Sequence, residues 1–395
     1  MAPNTKALLK AIKQMAPPMS NKNHKGQQGR VGVIGGSKAY TGAPYFAAQS
    51  ALLLGADLVT VFCSVEAGLA IKAYSPDLMV RPLLFPEHMR KQAAHELEVM
   101  DLTEEVVEGI VESIDEWSAK LDVMVVGPGL GKDDLVARTV GRWIETLSHK
   151  SASTPAREGG VTPLVLDGDG LHVFQHCAAR RAHKSSFDES LVLTPNAAEF
   201  RRLWEQFAGK DAPLPMPDFD VDTDVQWLKD NPDGGEISIK HPLAAHTAVL
   251  ASLLGGATVV RKGHVDVISN GRRAVVVTST SDTNLRRVGG QGDVLAGATG
   301  MFLTWGSMRQ QRREKEREEA RKRGEDAKKS EADADPLPPA MLAAFSAAHF
   351  CRALGGRAFA RHGRSMLASN LLQVLPEVLH EWFPLDGVKV LANKL

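Results

Sequence analysis

Six short β-branched runs, each bounded by Gly, Pro or Asp, punctuate this chain and leave few folds open to it. They occupy residues 31–34, 58–62, 123–126, 164–166, 191–193 and 259–261. Runs that are apolar at nearly every position have no wet face, so each reads as a strand buried on both sides. Between them lie helix-compatible stretches such as 43–54 and 134–147. Strand alternating with helix predicts an α/β fold: a doubly wound, mainly parallel sheet flanked by helices. Right-handed crossovers then bring every parallel strand's carboxyl end to one edge, where open sheets of this kind bind ligands. The residues that follow five of the runs suit such a rim: Gly35-Gly36-Ser37, Gly127-Pro128-Gly129-Leu130-Gly131, Asp167-Gly168-Asp169-Gly170, Thr194-Pro195-Asn196 and Lys262-Gly263.

A second set of periodic segments is lacking, so the 395 residues are expected to form one domain, 25–395, behind a lead-in of 1–24. Two stretches read as insertions. Residues 208–231 are rich in Pro and Asp, and 309–335 is nearly all charge, fitting either a solvated helical protrusion or a disordered loop. Asn270-Gly271, between 265–268 and 274–278, predicts a type I′ hairpin beside the sheet.

Lys plus Arg (47) balances Asp plus Glu (47), so no global field draws the chain to nucleic acid or anionic lipid. No apolar run approaches the roughly eighteen residues of a membrane-spanning helix. Cys63, Cys177 and Cys351 are far apart and form no paired motif, as suits buried fillers in a reducing compartment. The first acidic side chain is Asp57, and the lysine-bearing start fits a transit peptide or an ordinary amphipathic helix over 6–15. A cytoplasmic setting is expected, with mitochondrial import as the alternative. Self-association into a homo-oligomer stays open.

Gly289-Gly290-Gln291-Gly292-Asp293 opens a helix-compatible, small-residue run, 294–301. Three glycines let backbone amides converge on an anion at a helix amino terminus, where the dipole also favours negative charge. Asp293 then sits in the first turn. A carboxylate there can take the proton of a hydroxyl as that oxygen attacks a phosphoryl group, while the amides stabilise the charge in transfer. Taken alone, the motif is equally a turn with an Asp cap.

Two neighbours strengthen the phosphate reading. Lys262-Gly263-His264-Val265-Asp266 follows a buried run and suits a nucleotide phosphate, and Arg286 and Arg287 lie just ahead of the glycines. Asn196 and Glu199 have the spacing of a capping box, or of an acidic group holding Mg²⁺ through water beside a substrate-contacting Asn. No Walker loop, nucleophile elbow or paired-His metal motif is present, and 32–37 misses the dinucleotide fingerprint spacing. His24, His172 and His264 read as structural or solvated.

In order along the chain, Lys25-Gly26, Gly35-Gly36-Ser37, Tyr40-Thr41-Gly42-Ala43-Pro44, Gly55-Ala56-Asp57-Leu58, Tyr74-Ser75-Pro76-Asp77, Gly127 to Gly131, Leu166 to Leu171, Thr194-Pro195-Asn196 with Glu199-Phe200, and the glycine–Asp motif span 25 to about 305. Together they resemble the NAD(P)H-hydrate dehydratases of the ribokinase-like superfamily, with terminal helices resuming from Ala340. The resemblance implies that ATP drives dehydration of (6S)-hydrated NADH or NADPH, with Mg²⁺ as cofactor. It implies ATP contacts at Lys262, Gly263, His264, Val265 and Asp266, and at Thr283, Asn284, Leu285, Arg286, Arg287, Val288, Gly289, Gly290, Gln291 and Gly292. Hydrate contacts fall on Gly129, Asn196, Ala197, Ala198, Glu199, Phe200, Arg201, Arg202 and Asp293, with 40–44 nearby. Asp293 is the implied general base, and the partner that interconverts the hydrate epimers is expected to be a separate epimerase. A vitamin-precursor kinase of the same fold and a non-catalytic nucleotide-binding scaffold are the alternatives.

Overall fold

The computed structural model describes residues 5–84, 98–147, 161–177, 190–210, 212, 227–231, 234–278, 286–323 and 335–385. Strand and helix alternate as the patterning requires. Helix α1 (Thr5–Lys13) precedes β1 (Arg30–Ile34), α2 (Gly42–Leu53), β2 (Leu58–Ser64), α3 (Val65–Tyr74), β3 (Met79–Leu84) and α4 (Glu98–Ser118). Then come β4 (Val123–Val126), α5 (Asp134–Leu147), β5 (Leu164–Leu166), α6 (Asp169–His176), β6 (Leu191–Leu193), α7 (Ala197–Phe207) and β7 (Gly235–Ile237). The remainder is α8 (Pro242–Leu253), β8 (Thr258–Arg261), β9 (Asp266–Ser269), β10 (Ala274–Val277), α9 (Gln291–Lys322), α10 (Pro339–His362) and α11 (Ala368–Trp382).

One sheet of ten strands runs in the order β3-β2-β1-β4-β5-β6-β8-β9-β10-β7. It is parallel from β3 to β8 and antiparallel beyond. Successive residues of one strand enter opposite cores. Val123 and Val125 pack with α2, α9, α10 and α11, whereas Met124 and Val126 pack with residues of α4, α5, α6 and α7. That is why β4, β5 and β6 carry no polar position.

Strands β3 and β7, which the sequence pattern did not mark, occupy the two sheet edges. Strand β3 is mostly half-exposed and contains Pro82, and β7 has three residues starting at Gly235. Edge strands tolerate both features and need no continuous apolar run.

The hairpin corrects an expectation. Strands β9 and β10 do pair around Asn270-Gly271, but Ser269 opposes Ala274, so the connection has four residues. No described non-glycine residue has positive φ, so Asn270 cannot take the conformation that a type I′ turn demands. Instead its Oδ1 accepts the amides of Arg272 and Arg273 at 3.1 and 3.0 Å, an Asx turn that competes successfully with the two-residue loop.

Helix α9 runs 32 residues, taking the charged stretch through Lys322 as a helix with an exposed far end. Arg309 is the exception at its root, 5% exposed and donating to Ala11 O and Gln14 Oε1. Leu8, Ile12 and Met15 of the lead-in are fully buried in the same core as α9 and α10. None of the described helices is long and apolar enough to cross a membrane.

Candidate active site

The carboxyl ends of β1, β4, β5, β6 and β8 form a continuous rim, and the amino end of α9 enters it from one side. Backbone crowding shapes the rim. A Cβ on Gly127 would stand 1.9 Å from Asp167 O, and one on Gly170 2.2 Å from Val126 O, so only glycine lets these loops cross. The loop after β4 is tied to the loop after β1: Gly36 N donates to Pro128 O, and Ser37 Oγ donates to Gly129 O at 3.0 Å. Gly129 itself, at φ +62°, backs onto Tyr40, which is 59% exposed at the mouth. Asp169 Oδ2 accepts the Gly131 amide at 2.9 Å and fixes the far end of that loop.

Gly290, at φ +97°, caps the amino end of helix α9. A Cβ there would lie 2.6 Å from Ala368 and 3.1 Å from Phe46, so the turn is held between α11 and α2. The turn places Gln291, Gly292 and Asp293 at the start of the helix, and Gln291 Oε1 accepts the Val288 amide. The amide-rich amino terminus is thereby aimed at the rim.

The charged centre assembles from three strand ends. Lys262, after β8, donates to Asp167 Oδ1 at 2.6 Å, and Thr194 Oγ1, after β6, donates to the same oxygen at 2.7 Å. Asp167 is 3% exposed. Asp293 is driven up to about 7, first by burial and then by the charges of Asp167, Glu199 and Asp169, with Lys262 pulling the other way. Burial likewise raises Glu199, against the pull of Lys262. Lys262 is held in its charged form: burial opposes it, but Asp167, Glu199 and Asp293 together outweigh that cost.

Glu199 and Asn196 form a reciprocal capping box on α7, with Glu199 Oε2 accepting the Asn196 amide at 2.8 Å and Asn196 Oδ1 accepting the Glu199 amide at 3.0 Å. The capping role therefore holds, and it also fixes both side chains beside the charged centre. Ala197, Ala198, Arg201 and Arg202 lie exposed on α7, whereas Phe200 is buried and packs against Trp204.

Past Lys262, the segment divides. Gly263 O accepts from Arg287 at 2.8 Å and from Arg352 at 3.2 Å, and His264 is exposed. Val265 is buried, and Asp266 pairs with Arg352 at 2.7 Å while accepting the Gly263 amide. Arg286, Val288 and Gly289 follow into the helix start. Thr283, Asn284 and Leu285 lie outside the described residues. The sequence reading placed Asp167 on the rim but gave it no role, and Thr194 likewise; the signal was an Asp directly after an all-apolar strand, where burial demands a partner.

The comparisons with known proteins point to one family. The family model for NAD(P)H-hydrate dehydratase matches residues 31–377. An "ATP-dependent (S)-NAD(P)H-hydrate dehydratase" of Homo sapiens is 35% identical, covering 92% of this chain and 81% of its own. One from the moss Physcomitrium patens is 33% identical, covering 93% and 94%. Among solved structures, a ribokinase-like superfamily protein of Enterococcus faecalis superposes with a TM-score of 0.59 at 18% identity, covering 95% of each chain. An ADP/ATP-dependent NAD(P)H-hydrate dehydratase of Bacillus subtilis, co-crystallised with ATP and Mg²⁺, superposes with a TM-score of 0.55 at 17% identity, covering 96% and 99%. With its matched residues reaching from β1 into α11, this chain belongs to the NAD(P)H-hydrate dehydratase family.

Proposed function

We propose that the chain is an ATP-dependent dehydratase that returns the (6S)-hydrates of NADH and NADPH to the intact dinucleotides. The observation that carries this reading is the Asp293 carboxyl in the first turn of α9, behind Gly290 and Gly292 and beside the Asp167–Lys262 pair. A base with a pKa near 7 is matched to taking a hydroxyl proton at neutral pH.

The C6 hydroxyl oxygen of the hydrate attacks the γ-phosphorus of ATP, its proton passes to Asp293, and ADP leaves with the bonding electrons. The α9 amides stabilise the charge of the phosphoryl group in transfer. Phosphate then leaves C6 as a proton leaves C5, and the C5=C6 bond of the dihydronicotinamide re-forms. Hydrate and ATP give NADH or NADPH, ADP and phosphate. Gly129 and residues 196–202 are assigned to the hydrate, and residues 262–266 and 283–292 to ATP.

Magnesium belongs to this proposal with the nucleotide. Among the described residues no group of three His, Cys, Asp or Glu side chains is arranged as a metal cage. A nucleotide-bound Mg²⁺ takes most of its ligands from phosphate and water, so one protein carboxylate is enough to hold it. Glu199 is the residue assigned to hold it through water, and the ion's chemistry is to neutralise charge on the phosphates. A dehydratase specific for one epimer needs a separate epimerase for the other, and that partner and a cytoplasmic setting complete the reading.

The test is the near-ultraviolet absorbance of the dihydronicotinamide ring after mixing the protein with hydrated NADH, Mg²⁺ and ATP or ADP. Recovery with release of phosphate is expected. Accumulation of a phosphorylated product alongside ADP would turn the reading to a small-molecule kinase.

A further inference from the structure

Lys262 reaches from the end of β8 to the start of α9. Its ammonium lies 3.3 Å from the point that a Cβ on Gly292 would occupy, against the turn that leads into Asp293. Its partner Asp167 is fixed from behind, by Thr194 Oγ1 on Oδ1 and by its own amide donating to Val126 O at 3.0 Å. Asp167 Oδ2 lies 3.8 Å from the same Gly292 point, so the pair as a whole faces the amino end of α9. Of the two side chains, Lys262 keeps 18% of its surface exposed and Asp167 only 5%, which makes the cation the member that opens to the crevice.

A structural staple between β5 and β8 has no need of charges here. Both strands already pair with β6 between them, and a buried ion pair seldom outperforms apolar packing of the same volume. The arrangement makes sense as a device that delivers a fixed positive charge to one place.

We propose that Asp167, with Thr194 behind it, is a positioning residue that holds the Lys262 ammonium against the amino end of α9, so that the cation meets the phosphoryl group in transfer. The inference rests on the dehydratase reading above. A charge placed at the transferring group gains its interaction as the reaction proceeds and therefore acts on kcat, whereas a nucleotide anchor acts on KM for ATP.

Steady-state kinetics of the full chain with hydrate, Mg²⁺ and ATP, on wild type, D167N, K262M, the double variant and T194V, test it. For D167N, kcat falls by about tenfold or more while KM for ATP stays within about twofold. The double variant is no slower than K262M by more than about twofold, because with the ammonium gone Asp167 has nothing to position. Losses that multiply in the double variant, or a D167N effect confined to KM, overturn the proposal.

Should D167N fail to fold, as its melting transition would reveal, T194V carries the test with every charge in place. Its kcat drops by roughly threefold to tenfold without a change in KM, and the effect vanishes on a K262M background. A folded T194V with wild-type kcat overturns the proposal. Wild-type turnover in the same assay separates the two claims: an inactive wild type defeats the dehydratase reading, and this inference falls with it.

Discussion

Asp293 keeps its proton to about pH 7 because it is buried and shares its surroundings with Asp167. Two expectations follow at this scale. As the base, it must be ionised, so kcat/KM falls as pH drops through about 7, and D293N loses about a thousandfold or more in kcat with ATP binding preserved. A pH–rate profile of the wild type and single-turnover rates of the variant check both; a mild loss would remove Asp293 from the role. The same shift acts on stability. Between 3.8, where the unfolded chain releases the proton, and about 7, where the folded protein does, the native state binds the extra proton, so this group lowers stability as pH rises. Above about 7 the cost is complete. Asn at this position escapes it, so the melting temperature of D293N should match wild type near pH 4 and exceed it increasingly up to pH 7–8. The candidacy of Asp293 was legible from its glycines. Its elevated pKa was not, because Asp167, Asp169 and Glu199 come from distant parts of the chain.

At the scale of elements, the position of α9 decides where its amino end points. Gly297 sits under Ala47 of α2, where a Cβ would be 2.0 Å from the Ala47 carbonyl, and Ser50 Oγ donates to Val294 O at 3.2 Å. Small residues at 47, 48, 50 and 51 thus let two helices touch backbone to backbone. Gly297→Ala should cost about 3 kcal/mol and displace α9, lowering kcat as well as melting temperature; an active, fully stable variant would show that the contact relaxes freely. On α7, Asn196→Ala removes half of the capping box and should cost about 1 kcal/mol, read by denaturant unfolding. The central strands and α5 could be read from pattern because burial on both faces leaves a continuous apolar signature. Strands β3 and β7 could not, since an edge position relaxes that demand, and the Asn-Gly dipeptide misled because Asn270 satisfies neighbouring amides with its own side chain.

For the whole molecule, the charged insertion splits into a root that matters and an end that does not. Arg309 is buried between Ala11 O, Gln14 and Asp335, joining α9 to the end of α1 and to the segment ahead of α10. Arg309→Ala should cost about 2 kcal/mol by removing a buried guanidinium's bonds to Ala11 O, Gln14 and Asp335, although Arg313 still pairs with Asp335 at 2.9 Å. Lys322, by contrast, pairs with Glu318 in solvent, and Lys322→Ala should change stability by less than about 0.5 kcal/mol. Thermal unfolding of the two variants makes the comparison, and equal effects would contradict this division.

The sequence by itself determined the layered α/β plan and the edge of the sheet at which the candidate site lies. Both follow from local facts: apolar runs that must be buried on two faces, glycines where the backbone must turn, and an Asp set at a helix start. Only the tertiary structure decided which charges meet. Asp167, Thr194 and Lys262 are joined because parallel strands β5, β6 and β8 lie side by side, a neighbourhood fixed by strand order. Charge interactions depend on distance in space, and separations of 27 and 95 residues along the chain carry no trace of it.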